Sequence, residues 1–174
     1  MSKLPNTLFF VILIVSLFPV YCSIPHRVLP QKDIQPSELN EPTLDKKVLV
    51  ASRYSEFKEA VIEKLKEAFK DQPVYIKFIG LDELEKEDAN QYNAVVMLNK
   101  CMAWQMDRNV IGFLKRYEDH SNMIVLTTSG DSDWLPKMEG RNFDAISSAS
   151  EKVNVDEVAN QIIDKINVLI EGSS

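Results

Sequence analysis

Cysteine, histidine and glycine are scarce in this chain, and each scarcity removes a class of chemistry. Only 2 cysteines and 2 histidines occur among 174 residues. If Cys22 leaves with the N-terminal apolar segment, Cys101 stands alone and no internal disulfide forms. His26 and His120 are far apart and no paired-cysteine spacing exists, so no zinc site is expected. His120 stands at the far end of a predicted helix, which leaves Cys101 without an evident histidine partner, and a buried or idle thiol is the expectation. Basic charge is also short. Twenty Lys and Arg face 26 Asp and Glu, for a formal net charge of -6. A general nucleic-acid binder needs a basic face to neutralise phosphates, so that class is excluded.

A long hydrophobic run is missing too. Leu8 to Val20 carries no charge but is shorter than the roughly 20 residues of a membrane span. It fits the apolar region of an export signal. Residues 1–22 are therefore read as a cleaved signal peptide, an uncleaved membrane anchor, or a segment lipidated at Cys22. Pro19 and Tyr21 fit the lipid site poorly. Each reading places the domain outside the cytoplasm, with any membrane contact made only by this segment. Residues 23–45 follow as a linker. Pro25, Pro30, Pro36 and Pro42 forbid a helix there and favour extended chain.

What is present is a strong alternation from Lys46 onward. Apolar residues make up 45% of the chain, enough for a sizeable core. Lys47 to Ser52 is a short valine-rich run suited to a buried strand. Ser55 to Lys70 predicts a helix with Phe57, Val61, Leu65, Ala68 and Phe69 on one face. Further strands are predicted at Val74–Ile79, Ala94–Leu98, Met123–Thr127 and Phe143–Ser147, with a short acidic helix or turn at Asp82–Asp88. Val110, Phe113, Leu114 and Tyr117 form a helical stripe. Val155, Val158, Ala159, Ile162, Ile163, Ile166 and Leu169 form the last one. Asn154 and Glu157 are spaced as a capping box at its start. Gly130 to Asn142 is read as loop. The class is α/β: a doubly wound five-stranded parallel sheet of order 2-1-3-4-5, over residues 46–174.

Three stretches, "KVLVASRYSEFKEAV", "YNAVVMLNKCMAW" and "MIVLTTSGDSDW", resemble the first, third and fourth strands of a flavodoxin with their following loops. The resemblance runs from Lys46 to Gly172 and implies that fold. It also implies a site at the carboxyl ends of the strands, where the strand order reverses. A flavodoxin holds the FMN phosphate in its first loop, on backbone amides, hydroxyls and a helix N-terminus. Ser52, Arg53, Tyr54 and Ser55 stand there, with Arg53 a candidate phosphate partner. The loop lacks glycine, Tyr54 replaces a small hydroxyl residue and Phe57 a threonine. Read from the residues alone, Ser55 is a helix N-cap and Glu56 complements the helix dipole.

The resemblance places the flavin ring between aromatic residues of the next two loops, where Trp104 and Trp134 lie. Stacking would add about 0.5–1.5 kcal/mol beyond burial. The alternative is two tryptophans closing over the sheet end. Asn99 flanks the first of these loops, and Thr128, Ser129, Gly130 and Asp131 form the second, with Gly130 permitting close approach. Asp144 to Ser150, "DAISSAS", loosely resembles an attachment motif for covalent FMN with Ser150 as acceptor. A strand ending in a serine-rich loop is the simpler account. The paired acids of a response-regulator receiver and the cysteine-arginine loop of a small phosphatase are absent.

Two functions follow as expectations. One is an exported flavodoxin-like binding or interaction module with a degenerate ligand site and no catalytic residue. The other is an extracytoplasmic FMN-binding electron-transfer protein, its partner a flavin or similar planar small molecule.

Overall fold

The computed structural model describes residues 32–102, 105–129 and 143–172. Strands β1 (Ser37–Leu39), β2 (Lys46–Ser52), β3 (Val74–Gly80), β4 (Ala94–Lys100), β5 (Met123–Ser129) and β6 (Asp144–Ala149) form one sheet ordered β1-β3-β2-β4-β5-β6. Strands β2 to β6 pair in parallel, and their order is the one the alternating pattern predicts. Among the described residues, three α-helices cover the sheet: α1 (Glu56–Phe69), α2 (Arg108–Leu114) and α3 (Val155–Glu171). A short 3-10 helix, Leu81–Lys86, supplies the predicted acidic turn after β3.

The central strands β2, β4 and β5 are largely apolar runs because both of their faces are covered. Val48, Leu49, Val50 and Ala51 of β2 are all fully buried. Alternation sends Val48 and Val50, with Ile76, Val96, Leu98 and Leu126, under α1 and α3. It sends Leu49 and Ala51, with Val95, Met97 and Val125, under α2 and the 3-10 helix. Each fully buried Leu, Ile or Val contributes about 1.5–3 kcal/mol, so this double core is the main stabilising term.

Two expectations need correcting. The sheet has six strands rather than five. Strand β1 comes from the segment read as linker and pairs antiparallel with β3, Ser37 opposite Phe78 and Leu39 opposite Ile76. Pro36 immediately precedes it, where no ladder hydrogen bond is lost. After β1 the chain turns on Asn40, whose φ of 63° is left-handed. Its Nδ2 donates to Phe69 O, Gln72 O and Val74 O at 2.8–3.0 Å. That side chain fastens the turn to the end of α1 and the start of β3.

The second correction concerns Asn154, which makes no side-chain cap for α3. A 3-10 turn at Lys152–Asn154 leads straight into the helix and leaves Asn154 at φ -91°, ψ -3°. A capping side chain needs an extended backbone to reach back over the first turn. Here Nδ2 donates instead to Ala149 O at 3.3 Å, tying the helix start to the end of β6. Strand β6 occupies most of "DAISSAS", as the simpler account of that segment expects.

Candidate functional site

The carboxyl ends of β2, β4 and β5 lie side by side, with Ser52 opposite Leu98 and Lys100 opposite Thr128. Of the residues singled out in the sequence, Ser52, Arg53, Tyr54, Ser55, Asn99, Thr128 and Ser129 stand at this edge. Trp104, Gly130, Asp131 and Trp134 lie outside the described residues.

The first loop is occupied by the chain itself. Arg53 N donates to Leu98 O at 3.3 Å, extending the β2–β4 ladder by one residue. Tyr54 N donates to Lys32 O at 2.8 Å. Ser52 Oγ donates to Arg53 O at 2.8 Å. Ser55 caps α1, its Oγ accepting from Lys58 N at 3.2 Å, as its residue type predicts. Tyr54 is 44% exposed, and Lys32 Nζ sits 4.7 Å from its ring centroid.

Arg53 is the centre of an ion cluster that sequence reasoning missed. Its Nε donates to Asp107 Oδ2 at 2.9 Å and its Nη1 to Asp33 Oδ1 at 2.7 Å. Nη2 lies 2.9 Å from Asp82 Oδ1. The three carboxylates come from the segment before β1, the 3-10 helix after β3 and the N-cap of α2. Burial opposes the Arg53 charge, but hydrogen bonds and charge from Asp107, Asp82 and Asp33 prevail and raise its pKa above the ordinary value. In return, the Arg53 guanidinium holds the Asp82 carboxyl below the usual range. Asp33 Oδ2 also accepts from Asp82 N at 3.0 Å. A Cβ on Gly80 would overlap the Asp33 carboxylate, so glycine there is what admits the clasp.

Asn99 carries the cluster across the sheet. It is fully buried, and its Nδ2 donates to Leu126 O at 2.9 Å and to Thr127 Oγ1 at 3.0 Å. Its Oδ1 accepts from Asp107 N at 3.2 Å. Asp107 Oδ1 in turn caps α2 by accepting from Asn109 N at 2.9 Å. Thr128 Oγ1 donates to Asn99 O at 3.3 Å. These polar groups are engaged with one another, as burial demands.

Lys58 is the second residue missed. It lies on the buried face of α1 beside Phe57 and Val61 and is only 2% exposed. Its ammonium makes no hydrogen bond or ion pair among the described residues. Burial first, and then the charge of Lys100, pushes its pKa down to about 8, against the pull of Asp107. One sequence signal was available: Lys58 falls on the same face as Val61, Ile62 and Leu65. The carboxylates of Asp33 and Asp82 had none, because they reach Arg53 only through sheet topology.

A solved structure described as a flavodoxin from the domain Archaea is similar, at 14% identity and a TM-score of 0.45, covering 71% of this chain and 98% of that one. No protein-family model matches the sequence, and no curated protein matches it.

Proposed function

We propose that this chain is an exported, flavodoxin-like binding or interaction module without catalysis, its ancestral type of phosphate loop closed from within. One observation carries the reading. The donors that would meet an FMN phosphate, the Arg53 guanidinium and the Arg53 and Tyr54 amides, are already paired with Asp33, Asp82, Asp107, Leu98 O and Lys32 O. A phosphate arriving at Arg53 would displace carboxylates that hold three elements together, and would meet an excess of negative charge there. The phosphate contribution to FMN binding is lost, and stacking alone is worth about 0.5–1.5 kcal/mol per ring pair. Export rests on residues 1–22. Among the described residues no helix is long and apolar enough to cross a membrane.

The test is an absorbance spectrum of the purified full chain, followed by tryptophan fluorescence during titration with FMN. A colourless protein whose fluorescence FMN leaves unchanged is the expected result. A yellow protein, or saturable quenching, would overturn the reading in favour of an FMN electron carrier that stacks the ring on Trp104 and Trp134.

A further inference from the structure

The two edges of the sheet are finished differently. The outer edge of β3 is covered by β1, which has three residues, follows Pro36 and ends at the left-handed Asn40. An edge so short and interrupted is a poor template for another strand. The opposite edge is β6, six residues without proline or lysine. After Asp144 its side chains are small, apart from Ile146, which is buried. Ladder geometry turns alternate N–H and C=O groups of β6 away from β5. Among the described residues, none from Asp144 to Ser148 makes a backbone hydrogen bond beyond the β5 ladder. At the middle of the strand, Ser147 Oγ is buried without a hydrogen-bond partner.

Both ends of β6 are flanked by an exposed valine. Val153, in the 3-10 turn after the carboxyl end, is 80% exposed, and Val168, on α3, is 69% exposed. Val168 lines a shallow cleft of about 250 Å3 at the amino end of β6, together with Leu169, Ser121, Asp144, Asp164 and Lys165. Lys165 pairs with Asp144. Asp164 is exposed and has no ionic partner among the described residues, and the same holds for Lys152 beside Val153. The carboxyl end of β6 therefore carries an apolar knob next to a lone cation. The amino end carries a partly apolar cleft next to a lone anion.

We propose that the open edge of β6 is an interface for a second copy of this chain, which joins the two six-stranded sheets into one. The occupant follows from the self-complementary ends. A two-fold axis normal to the sheet at Ser147 lays a second β6 antiparallel to the first and keeps both α3 helices on one face. The carboxyl end of each β6 then meets the amino end of the other. Val153 of each copy enters the Val168 cleft of the other, and Lys152 meets Asp164. The two Ser147 side chains stand opposite each other, where cross-strand hydroxyls hydrogen-bond. This interface uses no residue of the first loop, so it stands independently of the function proposed above. One short strand and two valines make an interface of the small class, below about 1,200 Å2, so the dimer dissociates on dilution.

The experiment is sedimentation equilibrium of the full chain over a range of concentrations, together with amide hydrogen exchange. The wild type should pass from monomer to dimer as concentration rises. Val153→Asp places an unpaired carboxylate at both ends of the interface and should weaken the dimer roughly a hundredfold or more. It should leave the unfolding of the monomer unchanged, because Val153 is exposed there. Lys152→Asp and Asp164→Lys should each weaken pairing, and the two together should recover most of it. The amides of residues 145–148 should exchange more slowly in the dimer than in the monomer. A wild type that stays monomeric throughout overturns the proposal, and so does a Val153→Asp protein that dimerises as the wild type does. A dimer whose β6 amides exchange as fast as those of the monomer also overturns it, since that contact lies elsewhere on the chain.

Discussion

At the scale of single residues, Arg53 shows how far a side chain's role depends on topology. Its position after the first strand and its chemistry both suit a phosphate partner. The structure surrounds it with Asp33, Asp82 and Asp107, none of them near in sequence. No local pattern predicts that meeting. Ser55 was legible for the opposite reason, since a cap acts within its own turn. The cluster makes a firm prediction. Arg53→Ala leaves Asp107, with a side chain 6% exposed, buried without its partner. Breaking a buried pair from one side costs about 3–5 kcal/mol. Urea unfolding should show a loss of that order, and Arg53→Lys should recover little of it, because one ammonium cannot replace a planar fork of donors. A loss below about 1 kcal/mol, as for an exposed pair, would show that the cluster is ornamental to stability.

At the scale of elements, α1 and the strands were readable because their periods are strong. The valine-rich runs and the 3.6-residue stripes of α1 and α3 place those elements within a few residues. Strand β1 has three residues and a proline before it, too little pattern to separate it from a linker. The missing cap at Asn154 arises from the 3-10 turn before it, which spacing of Asn and Glu does not report. The apolar members of the α1 stripe define the helix, and Lys58 sits within that stripe among them. That position has a pH consequence. The folded pKa of Lys58, about 8, lies below the ordinary lysine value of 10.5. The folded state then binds fewer protons than the unfolded state between those values, so stability rises with pH across that window. Below about pH 8 the full penalty of the buried ammonium remains. Relative to Lys58→Met, the wild type should gain stability between pH 8 and 10.5 in chloride, on the order of a few kcal/mol. Parallel curves for the two proteins would mean that Lys58 titrates as an exposed lysine does.

At the scale of the whole molecule, the sheet order was legible and the domain's beginning was not. Pattern alone starts the domain at Lys46. The structure brings in the preceding segment as a clasp across one edge and one end of the sheet. Ile34 enters the core at 5% exposure, Asp33 holds Arg53, β1 covers the outer edge of β3, and Asn40 bonds the end of α1. Burial of Ile34 contributes about 1.5–3 kcal/mol. Each hydrogen bond adds roughly 1 kcal/mol, more where a charge is involved. A chain starting at residue 46 should therefore unfold at clearly lower urea than one starting at residue 32. It also bares β3, whose seven residues are almost wholly buried in the intact sheet. An open apolar edge is a template for pairing with another chain. Size-exclusion chromatography should show larger species for the 46–174 chain than for the 32–174 chain. Equal urea midpoints together with equal elution would mean that residues 32–45 lie on the domain without supporting it. In that case the Asp33–Arg53 pair would be a surface contact, and the first loop would open to ligands when the segment leaves.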